Sequence, residues 1–336
     1  MSSPLQFATT ALFSQLRMRA YGLFTHECVA LLALLQWFGP FMRTQASNRL
    51  PISPSCPPTI GSKLDGRYQL TRLLASGTLG LVYEGVDMQT GMEAAVKLFP
   101  SWVFQGEARE RFLREAKRLA SVRHPNLVRY LGFGLIGERS PFLAMERLRG
   151  ITLQARLRQV GLLPARSCLR VLGELLRGLA AAHELKAPHR NIRPESVFLD
   201  RRGAVLFDFS VGLDSEERER LALEGSDAVG PEHSVWEPAL AEEAAQLRSD
   251  LYAVSAMAYE MLTGRPVRTR NEHDSRVPVD NAAADGLRPP SALQSPIDPE
   301  VDRWVMRGLC EDASMRFTSA REMGVSCERL LEQLGG

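Results

Sequence analysis

From Gly66 onward the chain alternates apolar and polar positions. "YQLTRLLASGTLGLVYEGVDMQTGMEAAVKLF" changes face at nearly every residue and is broken by glycines and by "QTG". A period of two with turn residues between the runs predicts three short antiparallel strands. The spacing then switches to three- and four-residue steps in "GEARERFLREAKRLASVRH", which predicts an amphipathic helix. "LVRYLGFGLIGERSPFLAMERL" returns to alternation and supplies two more strands. Five strands and one helix make a small lobe. Past Gly150 helical spacing dominates, in "LQARLRQVG", "ARSCLRVLGELLRGLAAAHELK", "SDLYAVSAMAYEMLTG", "PEVDRWVMRGLCED" and "SAREMGVSCERLLEQL". A sheet lobe followed by a helical lobe is an α+β pattern.

The first sixty residues have another texture. Glu27 is their only acid, and they close on "PISPSCPP", a flexible or polyproline-like linker. The apolar run at 28–42 is shorter than the roughly 20 residues a spanning helix needs, and it holds Gln36 and Pro40. As a secretory signal its head is too long and its cleavage site poor. Residues 1–62 therefore read as a poorly ordered or partner-docking extension. A membrane-touching helix through 28–42, or a start codon placed upstream of the real domain, are the alternatives. The domain proper is placed at 63–336.

Composition narrows the picture. A chain of 336 residues with 45% apolar content can bury a sizeable core, and a formal charge of +2 gives no drive toward nucleic acid. The five cysteines (Cys28, Cys56, Cys168, Cys310, Cys327) lack C-x-x-C spacing. That is neither a zinc site nor a disulfide framework, and it points to a reducing, cytoplasmic compartment.

The candidate chemistry begins at "LASGTLGLVYEG", a glycine-rich turn between two strands. Gly77 and Gly80 would let backbone N–H groups approach phosphate oxygens, although the same turn also suits an ordinary hairpin. Lys97 follows on the next strand in "AAVKLF", and Glu115 on the next helix. A lysine among apolar strand residues needs a counter-charge, and a helix carboxylate is the natural one. In this order the motifs resemble the protein kinase family, bacterial serine/threonine type, over roughly Tyr68 to Leu334. The resemblance implies a two-lobed fold, with an N-lobe at 63–148 and a C-lobe at 149–336. It implies ATP as cofactor, optionally with Mg2+, held by Lys97, Glu115 and Asp208. Val82 and Ala95 would cover the adenine and Phe198 would underlie it. Met145 would be the gatekeeper, and Glu146 to Leu148 the hinge. Asp250 in "SDLY" would cap the catalytic loop from a buried helix. Arg316 would pair with the glutamate of an A-P-E motif.

The departures are as specific as the matches. Members of this family carry H-R-D-x-K-P-x-x-N, the Asp accepting the substrate proton and the Asn holding magnesium. In "PHRNIRPESVFL" His189 and Arg190 remain, but Asn191 replaces the Asp, Arg193 the Lys and Ser196 the Asn. An amide cannot hold a proton at neutral pH, and loss of a general base removes about 10²–10⁴ in rate. "DFS" retains Asp208 as the one candidate magnesium ligand and Phe209 as a spine residue, while Ser210 loses a glycine's backbone freedom. Ala75 stands for the first loop glycine. The segment "VGLDSEERERLALEGSDAVGPEHSVWEPAL" contains no threonine, leaving Ser215, Ser226 and Ser234 as weak phosphate acceptors for Arg190 to bind. Ala239 takes the glutamate's place in "WEPA", so Arg316 is expected to find another carboxylate, Glu237 or Glu232. "SEERERLALEG" reads as a short charged helix.

Retained binding parts beside degraded transfer parts imply an ATP-binding pseudokinase that docks or regulates other signalling proteins, among them an active kinase. A low-activity serine/threonine kinase and a scaffold that binds no nucleotide are the other two readings.

Overall fold

The structure, a computed structural model, describes residues 58–77, 79–137, 140–213, 217, 243–267, 282–283, 286–294 and 296–335. The chain divides into two units, Met1–Pro57 and Pro58–Gly336, and every described residue lies in the second. Of the extension placed at 1–62, residues 1–57, with the apolar run at 28–42, lie outside the described residues, whereas Gly61 N donates to Leu70 O at 2.8 Å and Ser62 O accepts from Leu70 N at 2.9 Å.

The expected strands are β2 (Tyr68–Gly77), β3 (Gly80–Asp87), β4 (Glu93–Leu98), β5 (Tyr130–Ile136) and β6 (Ser140–Glu146). A two-residue strand, β1 (Lys63–Leu64), adds a sixth at the edge. The order is β1-β2-β3-β4-β6-β5, every neighbour antiparallel. The β3–β4 turn closes through Gly91 at φ 70, whose N–H donates to Asp87 O at 2.7 Å. Period-two alternation then separates two apolar layers. Ala94, Val96 and Leu98 join Tyr68, Leu70, Tyr83, Phe142 and Ala144 above the sheet. Ala95, Leu143 and Met145 face the other way, into the core shared with the helices. Lys97, two residues from Ala95, is thereby carried to the lower face.

Helix α1 (Glu107–Ser121) buries Ala108, Phe112, Ala116 and Leu119, one stripe at helical spacing. Glu107 and Glu110 in its first turn and Arg118 in its last complement the helix dipole. The second lobe holds α2 (Leu153–Val160), α3 (Ala165–Glu184), α4 (Glu243–Thr263), α5 (Pro299–Gly308) and α6 (Ala320–Gln333). Side chains cap three of them: Thr152 accepts from Ala155 N, Asp298 from Glu300 N and Ser319 from Glu322 N. Helix α4 begins at Glu243 rather than at Ser249, and it is buried on nearly every side from Asp250 to Thr263. A helix without a polar face lies in a core, which makes its one buried acid, Asp250, conspicuous. Short strands β7 (Ile151–Thr152), β8 (Val197–Asp200) and β9 (Gly203–Leu206) form a small sheet under the hinge, and β10 (Ala282–Ala283) pairs with β11 (Gly286–Leu287). No helix among the described residues is long and apolar enough to cross a membrane.

Two features of the N-lobe generate predictions. Asp87 is 1% exposed and accepts Arg67 through both oxygens, at 2.9 and 2.7 Å. The Arg67 bond, outweighing burial, lowers its pKa from 3.8 to about 2. A depressed carboxylate stabilises the fold above its unfolded pKa and loses that contribution as pH falls through the folded one. Asp87→Asn should therefore lower stability by roughly 1–3 kcal/mol at neutral pH. Its melting temperature should converge on the wild type's between pH 4 and pH 2, which thermal melts across pH would read.

Gly80 sits at φ 118, and a Cβ there would lie 1.8 Å from Leu98 O. A Cβ on Gly77 meets nothing within 4 Å. Gly80→Ala should lose about 1–3 kcal/mol, whereas Gly77→Ala should stay within about 0.5 kcal/mol. Chemical denaturation of the two variants in parallel checks the contrast.

Candidate active site

Strand register builds the upper wall of the site. Val82 lies opposite Lys97, and Ala95 opposite Met145. Directly paired residues share a face, and so do residues two apart on one strand. Val82, Ala95, Lys97 and Met145 therefore point to the same side. Leu148 is buried in the same apolar cluster, and Phe198 on β8 packs against it from the other lobe. The chain reaches β8 beside Gly150, at φ 143, where a Cβ would strike Leu199 O at 2.0 Å. Glu146 keeps its side chain out of this cleft: its Oε1 accepts from Arg129 N at 2.8 Å and Arg202 Nη2 at 2.7 Å. The apolar residues named from the sequence for the base are thus brought together, and Gly77 and Gly80 close the β2–β3 turn at this end of the sheet.

The catalytic loop is held from beneath by Asp250. Its Oδ2 accepts from His189 N at 2.7 Å and contacts His183 Nε2 at 2.9 Å, and its Oδ1 accepts from Arg190 N at 2.8 Å. Burial alone would raise the pKa of this carboxyl, but the His183 and His189 contacts outweigh it and hold it below the usual range. The cap supports an uncommon backbone: Arg190 sits at φ 62, a left-handed conformation that L side chains seldom adopt. His189 is neutral, because burial depresses its pKa. Its tautomer follows from its partners. Nε2–H donates to Phe207 O at 2.9 Å, and Nδ1 accepts from Asn191 N at 3.2 Å. Phe209 packs against the His189 ring, tilted by 49° with centroids 4.2 Å apart, and meets Tyr130 edge-on at 6.4 Å, joining the lobes as expected. Ser210 is not at positive φ, so this arrangement does not use the freedom that a glycine would have given.

The charge pairing corrects the sequence-based expectation. Lys97 Nζ bonds Asp208 Oδ1 at 2.6 Å, not Glu115. The Oε2 of Glu115 is taken by Arg190 Nη1 at 2.8 Å and Gly212 N at 2.7 Å. With a cation and a backbone donor already on Glu115, Lys97 finds its counter-charge in Asp208. Burial would raise the Asp208 pKa, but the charge and hydrogen bond of Lys97 overcome it, and the group stays ionised. Asp208 is itself left-handed at φ 64. Its other oxygen, Oδ2, accepts from Asn191 Nδ2 at 3.3 Å. Asn191, which the resemblance puts at the base position, is thus a donor to the neighbouring acid.

Arg193 and Ser196 fold into one turn. The Ser196 hydroxyl accepts from Arg193 N at 3.0 Å and donates to Arg193 O at 2.8 Å, and the residue is 1% exposed. Its oxygen is committed to backbone and poorly placed for an ion. Among the described residues no three His, Cys, Asp or Glu side chains gather where a metal could sit. The donor set does not fit a divalent cation well: one carboxylate, engaged on both oxygens by nitrogen donors.

Three described partners meet Arg316, whose expected carboxylates, Glu237 and Glu232, lie outside the described residues. Its Nε donates to Cys310 O at 2.7 Å and its Nη2 to Glu311 O at 3.1 Å, and its guanidinium lies 5.0 Å from the Tyr252 ring centre. Glu232, Glu237, Ala239, Ser215, Ser226 and Ser234 lie outside the described residues, as does most of "SEERERLALEG", of which Glu217 is described as helical.

Two contributors escaped the sequence reading. Arg111 donates through Nε to Gly212 O at 3.0 Å and through Nη2 to Glu217 at 2.8 Å, tying α1 to the start of the segment after "DFS". Its spacing of four from Glu115 put both on one helix face, which was the available signal. His183, in the last turn of α3, gave none.

The protein kinase domain family matches residues 68–326. The serine/threonine-protein kinase PksC of Streptomyces coelicolor is 32% identical over 282 residues, covering 79% of this chain and 49% of that protein. The serine/threonine-protein kinase PknL of Mycobacterium tuberculosis is 31% identical over 284 residues, covering 82% of this chain and 69% of that one. The chain spans about half the length or less of several such relatives, 49% of PksC and 38% of the probable kinase PknB of Bifidobacterium longum. The crystal structure of the Mycobacterium tuberculosis PknI kinase domain superposes with a TM-score of 0.62 at 22% identity, over 83% of this chain and 100% of that one, a likeness of fold. With a sheet lobe and a helical lobe joined through Phe209, and an Asp250-capped His189–Arg190 loop between them, the chain belongs to the protein kinase domain family.

Proposed function

We propose that this domain binds ATP and serves as a regulatory or partner-docking signalling module, with phosphoryl transfer lost. One observation carries the reading: the side chain at the position of the catalytic base is the Asn191 amide, and it donates to Asp208. The neighbouring Asp208 is no substitute. A carboxylate held ionised by an ammonium 2.6 Å away is a weak proton acceptor, and general-base efficiency follows basicity. The apolar face formed by Val82, Ala95 and Met145, together with the charged Lys97, supports nucleotide binding. The partners of such a module are other signalling proteins, an active kinase among them. The described cysteines, Cys168, Cys310 and Cys327, are all free thiols, in keeping with a reducing cytoplasmic setting.

A second reading has its own support. Lys97 and Asp208 are both present, and phosphoryl transfer depends mostly on positioning and charge. The relatives are named as serine/threonine kinases. A low-activity serine/threonine kinase moving the ATP γ-phosphate to protein hydroxyls would turn over at about 10⁻⁴–1 s⁻¹ once the base is removed.

Radiolabelled phosphate transfer decides between them. The unmodified protein should label neither itself nor a generic protein substrate, and Asn191→Asp should raise transfer by about 10²–10⁴-fold. Stoichiometric labelling by the unmodified chain would instead establish the second reading. Nucleotide binding is checked by melting: saturation at about 100 times the dissociation constant adds about 2.7 kcal/mol, a shift of several degrees. Lys97→Ala should abolish that shift.

A further inference from the structure

Where α1 ends beside the C-terminus of α3, the surface carries more positive charge than the fold accounts for. Arg114, Lys117, Arg118 and Ser121 follow at three- and four-residue steps and are all exposed, opposite the buried stripe of Phe112, Ala116 and Leu119. Arg118 Nη1 donates to Lys186 O at 3.3 Å, which sets Lys186, also exposed, beside this face. Leu185, the residue before it, is left 43% exposed. Arg114 has a loose partner in Glu110 at 3.8 Å, both side chains largely in solvent. Among the described residues Lys117, Arg118 and Lys186 have no carboxylate partner. Glu115, three residues before Arg118, is held by Arg190 and Gly212 N instead.

Stability gives no reason for this arrangement. Like charges three and four residues apart, as Arg114 stands to Lys117 and Arg118, weaken a helix. Cations suit helix C-termini, but the two termini here supply only about one unit of negative charge between them. Lys186 sits at φ 55, just past α3, where its N–H donates to His183 O at 2.9 Å and Ala187 N to Ala182 O at 3.1 Å. This closure favours glycine, and a lysine in it bears backbone strain. The cations are strung along the helix rather than aimed at one point, Arg114 and Arg118 being about 6 Å apart along its axis. Alternate side chains of an extended segment repeat at about 6.6–6.8 Å, so carboxylates at every second residue match one helical turn. Insertion into lipid needs Trp, Phe or Leu on the docking face, and the exposed face of α1 has none. We propose that this surface docks an extended acidic segment of a partner protein, with Glu or Asp at alternate positions, between the C-terminal half of α1 and Lys186.

This rests on the partner-docking reading above and names the chemistry of the partner. A short fluorescein-labelled peptide of alternating Glu and Ser is titrated into the full chain at low ionic strength and read by anisotropy, beside a peptide with Gln in place of Glu. The Glu peptide should bind tighter by about ten-fold or more. Lys117→Glu with Arg118→Glu should weaken it by about ten-fold or more, whereas Arg156→Glu with Arg158→Glu, the same charge reversal on the exposed face of α2, should change it by less than about three-fold. Lys186→Gly keeps the test independent of folding defects: it should lower affinity by about three-fold while the melting temperature holds or rises. Equal weakening by the two reversals, or no preference for the Glu peptide, overturns the proposal. So does binding to phosphatidylserine vesicles or to an oligonucleotide that the α1 reversal abolishes while the peptide stays unbound. The titration contains no nucleotide, so its failure leaves ATP binding and the loss of transfer in place, and failure of that reading shows instead in phosphate labelling.

Discussion

The buried carboxylate of Asp250 fixes the geometry on which everything else in the cleft depends. It is 2% exposed, the one buried acid on its helix, and it survives there because three donors converge on it. Two of those donors are consecutive backbone N–H groups, His189 and Arg190. Satisfying both with one carboxylate forces the chain to turn sharply, and Arg190 takes the left-handed conformation as a result. The turn sends the Arg190 side chain toward α1 and the Asn191 side chain toward Asp208. A single buried charge thus decides which residues each arm of the loop can meet.

From that constraint the pairing of the remaining charges follows. Arg190 reaches Glu115, and the Gly212 amide joins it on the same oxygen. With Oε2 of Glu115 taken by these two donors, Lys97 pairs with Asp208. Each pair is internally neutral, which keeps partly buried charges tolerable without any ion from outside. Arg111 extends the same logic one helical turn earlier, holding Gly212 O and Glu217. The first turn after "DFS" is consequently bonded to α1 through both its N–H and its carbonyl.

The architecture was legible wherever a period ran long enough. The β2–β3–β4 alternation and the stripes of α1, α3, α5 and α6 are set by local sequence, and their boundaries fall within a few residues of expectation. The two-residue β1 was not legible, since so short a segment has no period. The early start of α4 escaped for a related reason: residues 243–248 carry little apolar signal of their own. Within the site, the residues were legible and their partners were not. Lys97, Glu115, Arg190 and Asp208 were each identifiable, but ion pairing is a choice among acids brought together by folding. The lysine needed a carboxylate, and folding brings it Asp208 while Glu115 meets Arg190. The backbone carbonyls and the Tyr252 face that meet Arg316 were likewise invisible in a sequence pattern.

The positions retained and the positions changed then divide along a physical line. His189, Arg190, Phe209 and Asp250 each have a structural duty that can be named: a bond to Phe207 O, a grip on Glu115, a ring contact between the lobes, a cap on the loop. Replacing any of them would leave buried polar atoms unpaired or open a gap beneath the sheet. The base position has no such duty, since its side chain faces the cleft, and an amide there makes a bond that a carboxylate could not make to Asp208. Ser196 is likewise content with its own turn. On the proposed reading, exchange at 191 and 196 removes the groups that accept a proton and hold an ion while leaving the frame that presented them undisturbed. A fold whose stability does not pass through its reacting atoms can lose the reaction and keep the shape.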